Sequence, residues 1–298
     1  MPAPGLWGFT SELNGTPGRG FQLEVENEVL VLSYYGYRAD GSSVFYSASG
    51  PITNNRFEAP LTEYRGGTVL GGAYQPAAVA ASPGNVVLTF SSGKNGSIQL
   101  PGSPALAITK FSFGYAPTPQ GLLGTYLLTY ASNSLLNADL VTLSKVPGFN
   151  SSTGSGFATS ASGTFGCENQ TSGVLAGGIV CTEATNSDYD DAYLFKMSGD
   201  DGAGVGTYRV SSLYYLAVVR RVATQTGNAT GINDSSPASL TQYALPIGDS
   251  VVGNHAFDSV KQQEAYGTRS APLAQDEREA LQRWAAEARN VLGANQAR

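Results

Sequence analysis

Apolar and polar residues alternate along the first part of the chain with the period of two that is typical of a β-strand. The clearest case runs from Phe21 to Glu26, where Phe, Leu and Val alternate with Gln, Glu and Glu. This pattern places apolar side chains on one face of a strand and polar side chains on the other. The segment from Gly5 to Pro51 therefore predicts three consecutive antiparallel strands joined by short turns.

Strand patterns continue over most of the remaining chain. In the first part they are predicted at 56–64, 86–92, 97–101 and 105–113, with a Gly- and Pro-rich crossing at 66–84. In the second part they are predicted at 122–130, 139–146, 163–168, 174–182, 192–198, 206–212 and 214–222, with a mobile, exposed loop at 147–162.

The order of these elements predicts the fold class. It is a mainly β protein made of two antiparallel meander barrels or sandwiches with a single C-terminal α-helix. The domains predicted from it are an N-terminal β meander at 1–115, a second β domain at 116–225, a linker or extended segment at 226–269 and an amphipathic helix at 270–298.

The C-terminal helix has one apolar stripe, which includes Leu281, Trp284, Ala288 and Leu292. A single amphipathic helix cannot bury its own stripe, so the stripe must pack on another surface. Two alternatives remain open from sequence: the helix packs on its own β domain, or it contacts another copy of the chain or a partner protein.

Composition agrees with a β protein and excludes several functions. The chain has 37 glycines, 16 tyrosines and only 13% charged residues, which suits many short strands and tight turns. The formal net charge is −6 and no segment interleaves basic with aromatic residues, so nucleic acid is not expected as a partner. No run of about 18 apolar residues predicts a membrane-spanning helix, and the first residues do not have the pattern of a signal peptide.

The two cysteines, Cys167 and Cys181, flank a turn-rich segment. In an exported protein such a pair predicts one disulfide closing a hairpin, worth roughly 3 kcal/mol. Two buried free thiols are the alternative. No metal site is expected from this pair, because two thiolates need further ligands.

The N-terminal meander also resembles a known group of proteins. Its Gly-Leu-Trp opening at 5–7, Gly-Arg-Gly-Phe at 18–21, the strand ending in Tyr-Arg-Ala-Asp-Gly at 37–41 and the Phe-Tyr-x-Ala-Ser-Gly-Pro segment at 45–51 are similar to a family of uncharacterised proteobacterial secreted β proteins. The resemblance covers roughly residues 5 to 225, most specifically 5 to 113, and departs at Gly8, where a second aromatic is usual. It implies a β fold and an exported location, and it brings no catalytic residues.

Candidate chemistry is sparse. The single histidine, His255, has no G-x-S-x-G segment to act with, so no catalytic residue is assigned. Acid–base work by paired carboxylates remains an alternative, although strand alternation assigns the candidates to a solvated outer face: Glu24, Glu26, Glu58 and Glu63. The acidic group Asp188, Asp190 and Asp191 contains oxygen ligands of the kind calcium takes but fits no loop motif. No cofactor is predicted.

Aromatic residues are the main binding candidates. The predicted set is Trp7, Tyr34, Tyr35, Tyr37 and Tyr46, which fall close together in the meander. Exposed tyrosines suit stacking on carbohydrate or docking to a protein, while packing in the core is the competing explanation.

These patterns favour an exported, non-enzymatic protein that acts in binding, adhesion or assembly. It would be secreted, periplasmic or on the cell surface. One alternative is a carboxylate-dependent hydrolase acting on a polysaccharide or polyester. Another is a filament or oligomer subunit that self-assembles through the C-terminal helix and an exposed strand edge.

Overall fold

A computed structural model describes residues 1–131, 136–184, 192–207, 214–230 and 273–296. Over these residues the fold is mainly β, with two eight-stranded antiparallel sheets that curl into barrel-like units and one α-helix near the C-terminus. The predicted fold class is therefore confirmed. The chain divides into two compact units, Met1–Ser112 and Phe113–Arg298.

The first unit is a closed barrel in which each strand pairs with the next and the first strand pairs with the last. Its two tightest hairpins use left-handed residues, Asn27–Glu28 and Asn54–Asn55, which have φ between 44° and 64°. Such pairs match the twist of the flanking strands. The strands are β1 (Gly5–Phe9), β2 (Gly20–Glu26), β3 (Val29–Tyr37), β4 (Ser43–Thr53), β5 (Arg56–Gly66), β6 (Ala77–Phe90), β7 (Asn95–Gln99) and β8 (Ala105–Lys110).

Strand alternation explains how this barrel is filled. On β3, Leu30 and Leu32 are buried while Val29 and Val31 are exposed. The inward positions of all the strands form one continuous apolar core, and each large side chain in it contributes roughly 1.5–3 kcal/mol. The largest fully buried members are Trp7, Phe9, Phe21, Phe57, Leu23, Leu30, Leu32, Leu88 and Ile98.

Strands β5 and β6 extend past the wall of the barrel. β6 pairs with β5 from Ala77 onwards, but its pairing with β7 begins only at Val87. We call the extended ends and the loop between them, residues 64–83, the arm. The prediction of a strandless crossing at 66–84 is therefore wrong from Ala77 onwards.

The second unit repeats the meander. Its strands are β9 (Gly124–Ala131), β10 (Leu136–Leu143), β11 (Gly154–Thr159), β12 (Phe165–Gln170), β13 (Ile179–Glu183), β14 (Ala192–Ser198), β15 (Asp201–Thr207) and β16 (Tyr215–Ala223). As in the first unit, the first strand pairs with the last, here β9 with β16. Between β10 and β11 the sheet is joined by a bridge, in which Thr159 N donates to Lys145 O at 2.8 Å.

Strand β11 lies inside the segment 147–162, which was predicted to be a mobile, exposed loop. That prediction is wrong, because Phe157 and Ala158 are fully buried. The small residues that make the segment look like a loop have a packing role. A Cβ atom on Gly154 would lie only 1.9 Å from the carboxyl carbon of Glu168.

The helix α1 (Gln275–Gln296) packs on the sheet of its own unit. Leu281, Trp284, Ala288 and Leu292 are all buried, in a cluster with Phe157, Val180 and Val205 from the strands. The first of the two alternatives is therefore the one observed. These four residues are not an exposed interface for another chain, because the sheet already covers them.

The predicted disulfide is present. Cys167 and Cys181 lie directly opposite each other on β12 and β13 and are bonded, and no free cysteine remains.

Candidate binding surface

The predicted aromatic set divides between the inside and the outside of the first barrel. Trp7 and Tyr34 are buried, and Tyr46 is half-buried beside Tyr34, with their ring centroids 6.1 Å apart. Trp7 packs edge-on against Phe90 in the core. The assignment of Trp7 and Tyr34 to a binding face is therefore wrong, because closure of the barrel turns their side of the sheet into its interior.

The outer side keeps Tyr35 and Tyr37 and adds two aromatics that the predicted set lacks. Tyr35 lies opposite Phe45 on β4. Tyr64 on β5 is the residue after Glu63, which pairs with Tyr46. All four are exposed, with 49% of Phe45 and 61% of Tyr37 accessible. We call these residues, Tyr35, Tyr37, Phe45 and Tyr64, the aromatic row.

Tyr35 is held against the barrel wall. Its ring contacts Gly20, the residue opposite it on β2: a Cβ atom there would lie 3.5 Å from the edge of the ring. Partial burial raises the pKa of the Tyr35 hydroxyl, because the charged phenolate is less well solvated there. A ring fixed in this way offers a contact surface at a low entropic cost on binding.

A polar group borders the aromatic row. Arg38 forms an ion pair with Glu63 and also donates to Ser43 O at 3.1 Å. Asp40 accepts from Ser42 N at 2.9 Å, and the hydrogen bonds from Ser42 lower the pKa of Asp40. The row thus has an apolar centre with hydrogen-bonding groups at its margin, which is the usual layout of a protein-binding patch.

The arm is the most exposed apolar part of the first unit. Every residue from Thr68 to Pro83 is exposed, including Val69 at 73% and Tyr74 at 87%, while Leu70 is fully exposed. No charged residue occurs anywhere between Gly66 and Gly93. Exposed apolar surface is uncommon on monomeric proteins when it forms a large patch.

The tip of the arm has a defined shape. Gly72 N donates to Val69 O at 2.8 Å, and Gln75 N donates to the Thr68 hydroxyl at 2.8 Å. Gly71 has a φ of 77°, a conformation that favours glycine. The turn therefore presents Val69 and Leu70 in a fixed arrangement.

Two polar clusters lie in the second unit. In the first, the buried carboxylate of Glu168 accepts from Ser151 N at 3.0 Å, Gly156 N at 2.9 Å and Trp284 Nε1 at 2.9 Å. The Ser151 hydroxyl and the Gln170 amide also donate to it. These five donors bring a loop, a strand and the helix together, so the cluster is a structural junction.

The second cluster is centred on Arg221. The guanidinium carbon of Arg221 lies 3.5 Å from the centre of the Tyr115 ring. A guanidinium nitrogen of Arg221 donates to Gly121 O at 2.7 Å and to the Tyr126 hydroxyl. The Tyr115 hydroxyl in turn donates to Asp200 at 2.7 Å. Burial raises the pKa of Tyr126 to about 12, because it desolvates the phenolate.

The carboxylates considered for acid–base chemistry lie on the first barrel. Glu24 and Glu26 are exposed on β2, Glu58 accepts from Arg56 and Asn85, and Glu63 is paired with Arg38. His255 and the group Asp188, Asp190 and Asp191 lie outside the described residues. Within the described part of the chain, no three His, Cys, Asp or Glu side chains are grouped so that they could hold a metal ion.

Comparisons with known proteins add no assignment. No protein-family model matches the chain, and neither a curated protein nor a solved structure matches it. Across the described ranges, no helix has the length and apolar character needed to cross a membrane.

Sequence reasoning missed the arm. Its glycines and its two prolines, Pro76 and Pro83, are residues that ordinarily interrupt strands. Its strand residues do not alternate, because both faces of the ribbon are exposed. The signal that could have found it is the uncharged stretch of 28 residues from Gly66 to Gly93, since surface loops of this length ordinarily carry charge.

Proposed function

We propose that this protein is an exported, non-enzymatic binding protein that docks onto another protein through the outer surface of its first barrel. The contact elements are the aromatic row and the arm. The observation that carries the proposal is the arm itself, a ribbon that is uncharged from Gly66 onwards and has exposed Val69, Leu70 and Tyr74 at and near its tip.

Burial of these side chains is the gain that drives docking. Removing apolar surface from water contributes about 25 cal/mol per Å², and an aromatic side chain such as Tyr74 carries 150–250 Å² of surface, so it contributes several kcal/mol on this scale. The entropy cost of ordering the arm on binding is small, because hydrogen bonds already fix the conformation of its tip.

An exported location is supported by the disulfide between Cys167 and Cys181. Structural disulfides persist in oxidising compartments such as the periplasm and the extracellular space.

The ion pairs of Glu58 and Glu63 on β5 favour a binding function of the first barrel over a hydrolase that uses these carboxylates as acid and base. Glu58 and Glu63 are each engaged by an arginine. A general acid in a glycosidase is instead a carboxyl group with a raised pKa, whereas hydrogen bonds from Asn85 and Arg56 lower the pKa of Glu58.

Carbohydrate is a second candidate ligand, and the ring of Tyr35 is the observation that favours it. This ring contacts Gly20 and lies beside the exposed Phe45 and Tyr37, and sugars stack on exposed aromatic rings. A Tyr37→Ala variant that loses affinity for a polysaccharide while an arm variant keeps it would select this candidate.

The proposed docking is tested in cells that export the protein. The arm variant carries Leu70→Asp and Tyr74→Ser, and the matched control Val218→Asp places a charge on an exposed strand residue of the second unit. We expect wild type and control to be recovered in cross-linked, high-mass or cell-bound fractions, and the arm variant to be depleted from them at least about tenfold.

Equal distribution of wild type and arm variant would overturn docking through the arm. Turnover of a polysaccharide or polyester by the purified protein would overturn the non-enzymatic assignment.

A further inference from the structure

Strand β6 has one free edge. Ala77, Ala78, Val79 and Ala81 pair with β5 on one side, and on the other side no strand in the described part of the chain pairs with β6 before Val87. An unpaired strand edge presents a row of backbone N–H and C=O groups, which is a template for adding another strand.

The edge from 77 to 82 carries no charged side chain, and charged side chains are one of the features by which natural proteins protect exposed edges from such pairing. Its sequence is Ala-Ala-Val-Ala-Ala-Ser, with Pro83 next. Register shifts in the ladder to β5, beside Glu63, interrupt the pairing on its other side, so the most regular part of the edge is Ala77–Val79. Small side chains also permit close approach of a second backbone.

We propose that the free edge of β6 pairs with the same edge of a second copy of the chain, antiparallel about a twofold axis. This inference rests on the proposed function, because it names the partner that the arm docks onto. A twofold contact uses the same patch on both subunits, and antiparallel pairing makes this one segment self-complementary. Strand addition of this kind is a recurring mode of recognition.

Charge favours a second copy at this position. Each chain has a formal net charge of −6, so two copies repel each other over most of their surfaces. The stretch from Gly66 to Gly93 carries no charge, and the paired edges of two copies therefore meet without bringing like charges directly together.

The geometry of the ribbon also favours pairing with a second copy of the chain. A two-stranded ribbon with both faces in water is marginally stable, and a third or fourth strand is what makes a sheet stable. Pairing two arms gives a four-stranded sheet, and six residues from each copy span about 20 Å. Val79 in the paired strand, and Tyr64 opposite it on β5, would then lie next to the partner's strand.

Sedimentation equilibrium of the purified full chain tests the proposal. As the protein concentration rises from about 1 to about 100 µM, the range in which contacts of moderate affinity form, we expect the average molecular mass to rise from 31.0 kDa to twice that value. Val79→Asp places a carboxylate of each copy in the paired sheet and should weaken the dimer at least about tenfold. The control Val218→Asp, with 55% of Val218 accessible against 61% of Val79, should dimerise like wild type.

Introduced thiols locate the contact. Both native cysteines are in the disulfide, so single variants Ala78→Cys and Ala80→Cys give no background from free thiols. We expect intermolecular cross-linking from at least one of them, and none from Thr226→Cys on an exposed turn of the second unit.

Several outcomes would overturn the proposal: a wild-type monomer over the whole range, a dimer insensitive to Val79→Asp, or cross-linking confined to Thr226→Cys. A monomer that floats with phosphatidylglycerol vesicles, and stops floating after Leu70→Asp, would overturn it in favour of a lipid surface. If wild type is monomeric but the arm variant is still lost from the cell-bound fraction, self-pairing fails while the proposed function stands.

Discussion

Replacing Glu168 by glutamine tests the junction that holds the C-terminal helix on the second unit. The substitution keeps the size of the side chain and exchanges one carboxylate oxygen for an amino group. Oε1 of Glu168 accepts from two backbone N–H groups, those of Ser151 and Gly156. Oε2 accepts from Trp284 Nε1, the Ser151 hydroxyl and the Gln170 amide.

The cost depends on which oxygen is replaced. At the Oε1 position the amino group would face two backbone N–H groups, which can donate a hydrogen bond but cannot accept one. At the Oε2 position the Ser151 hydroxyl and the Gln170 amide can reorient to accept, and only the Trp284 N–H loses its partner. A hydrogen bond to a charged group contributes about 1.5–3 kcal/mol, and a buried donor left without a partner costs about 1–3 kcal/mol. We therefore expect Glu168→Gln to lower the free energy of unfolding of the second unit by roughly 2–4 kcal/mol.

The chain offers a clean optical assay for this loss. It has two tryptophans, Trp7 in the core of the first barrel and Trp284 on the helix. A Trp7→Phe background leaves Trp284 as the sole tryptophan, so its fluorescence during urea unfolding reports on the second unit. Glu24→Gln, on the exposed outer face of β2, is the matched control and should stay within about 0.5 kcal/mol of the background.

A change below about 0.5 kcal/mol for Glu168→Gln would refute the reasoning, since ordinary surface substitutions have effects of that size. So would an equal loss for Glu24→Gln.

Three further predictions concern the second unit. Replacing both Cys167 and Cys181 by serine should lower its free energy of unfolding by about 3 kcal/mol, as expected for a closed loop of this size, and urea unfolding under non-reducing conditions measures it; no change would contradict the structural role of the bond. Because burial raises the pKa of Tyr126 to about 12, the folded chain keeps a proton that the unfolded chain loses near pH 10, so stability should fall as pH rises from about 10 to 12. Tyr126→Phe should flatten that part of the profile in alkaline urea titrations, and an unaltered slope would contradict it. Burial also raises the pKa of Asp139, more than the hydrogen bond from Tyr193 lowers it, so its contribution to stability is greatest below its ordinary value and is lost as pH rises towards the folded value. As pH rises above about 4, thermal unfolding of Asp139→Asn should show a smaller loss of stability than wild type, and parallel profiles would count against this assignment.

Local patterns were sufficient for part of the fold. Alternation predicted β3 and its neighbours, since Leu30 and Leu32 are buried between exposed residues. The helical stripe predicted Leu281, Trp284, Ala288 and Leu292, which are all buried, as is Ala285. The arm escaped prediction because a ribbon exposed on both faces has no reason to alternate, and β11 escaped because Gly154 has to be small to lie against Glu168.

The aromatic residues show where local information ends. Alternation separates Tyr34 from Tyr35, but it does not say which side faces the interior. Closure of the barrel by β1 and β8 decides that, because it buries the side of Tyr34 and leaves Tyr35 beside Phe45 in solvent.

The sequence by itself determined the mainly β class and the amphipathic nature of the C-terminal helix, and it predicted the pairing of Cys167 with Cys181, because each depends on residues near one another along the chain. Only the tertiary structure decided which aromatics are accessible, how Glu168 is satisfied by Trp284, and that β6 has a free edge. These features depend on groups far apart in sequence, such as Glu168 and Trp284, which are 116 residues apart, and on whether a neighbouring strand is present at all.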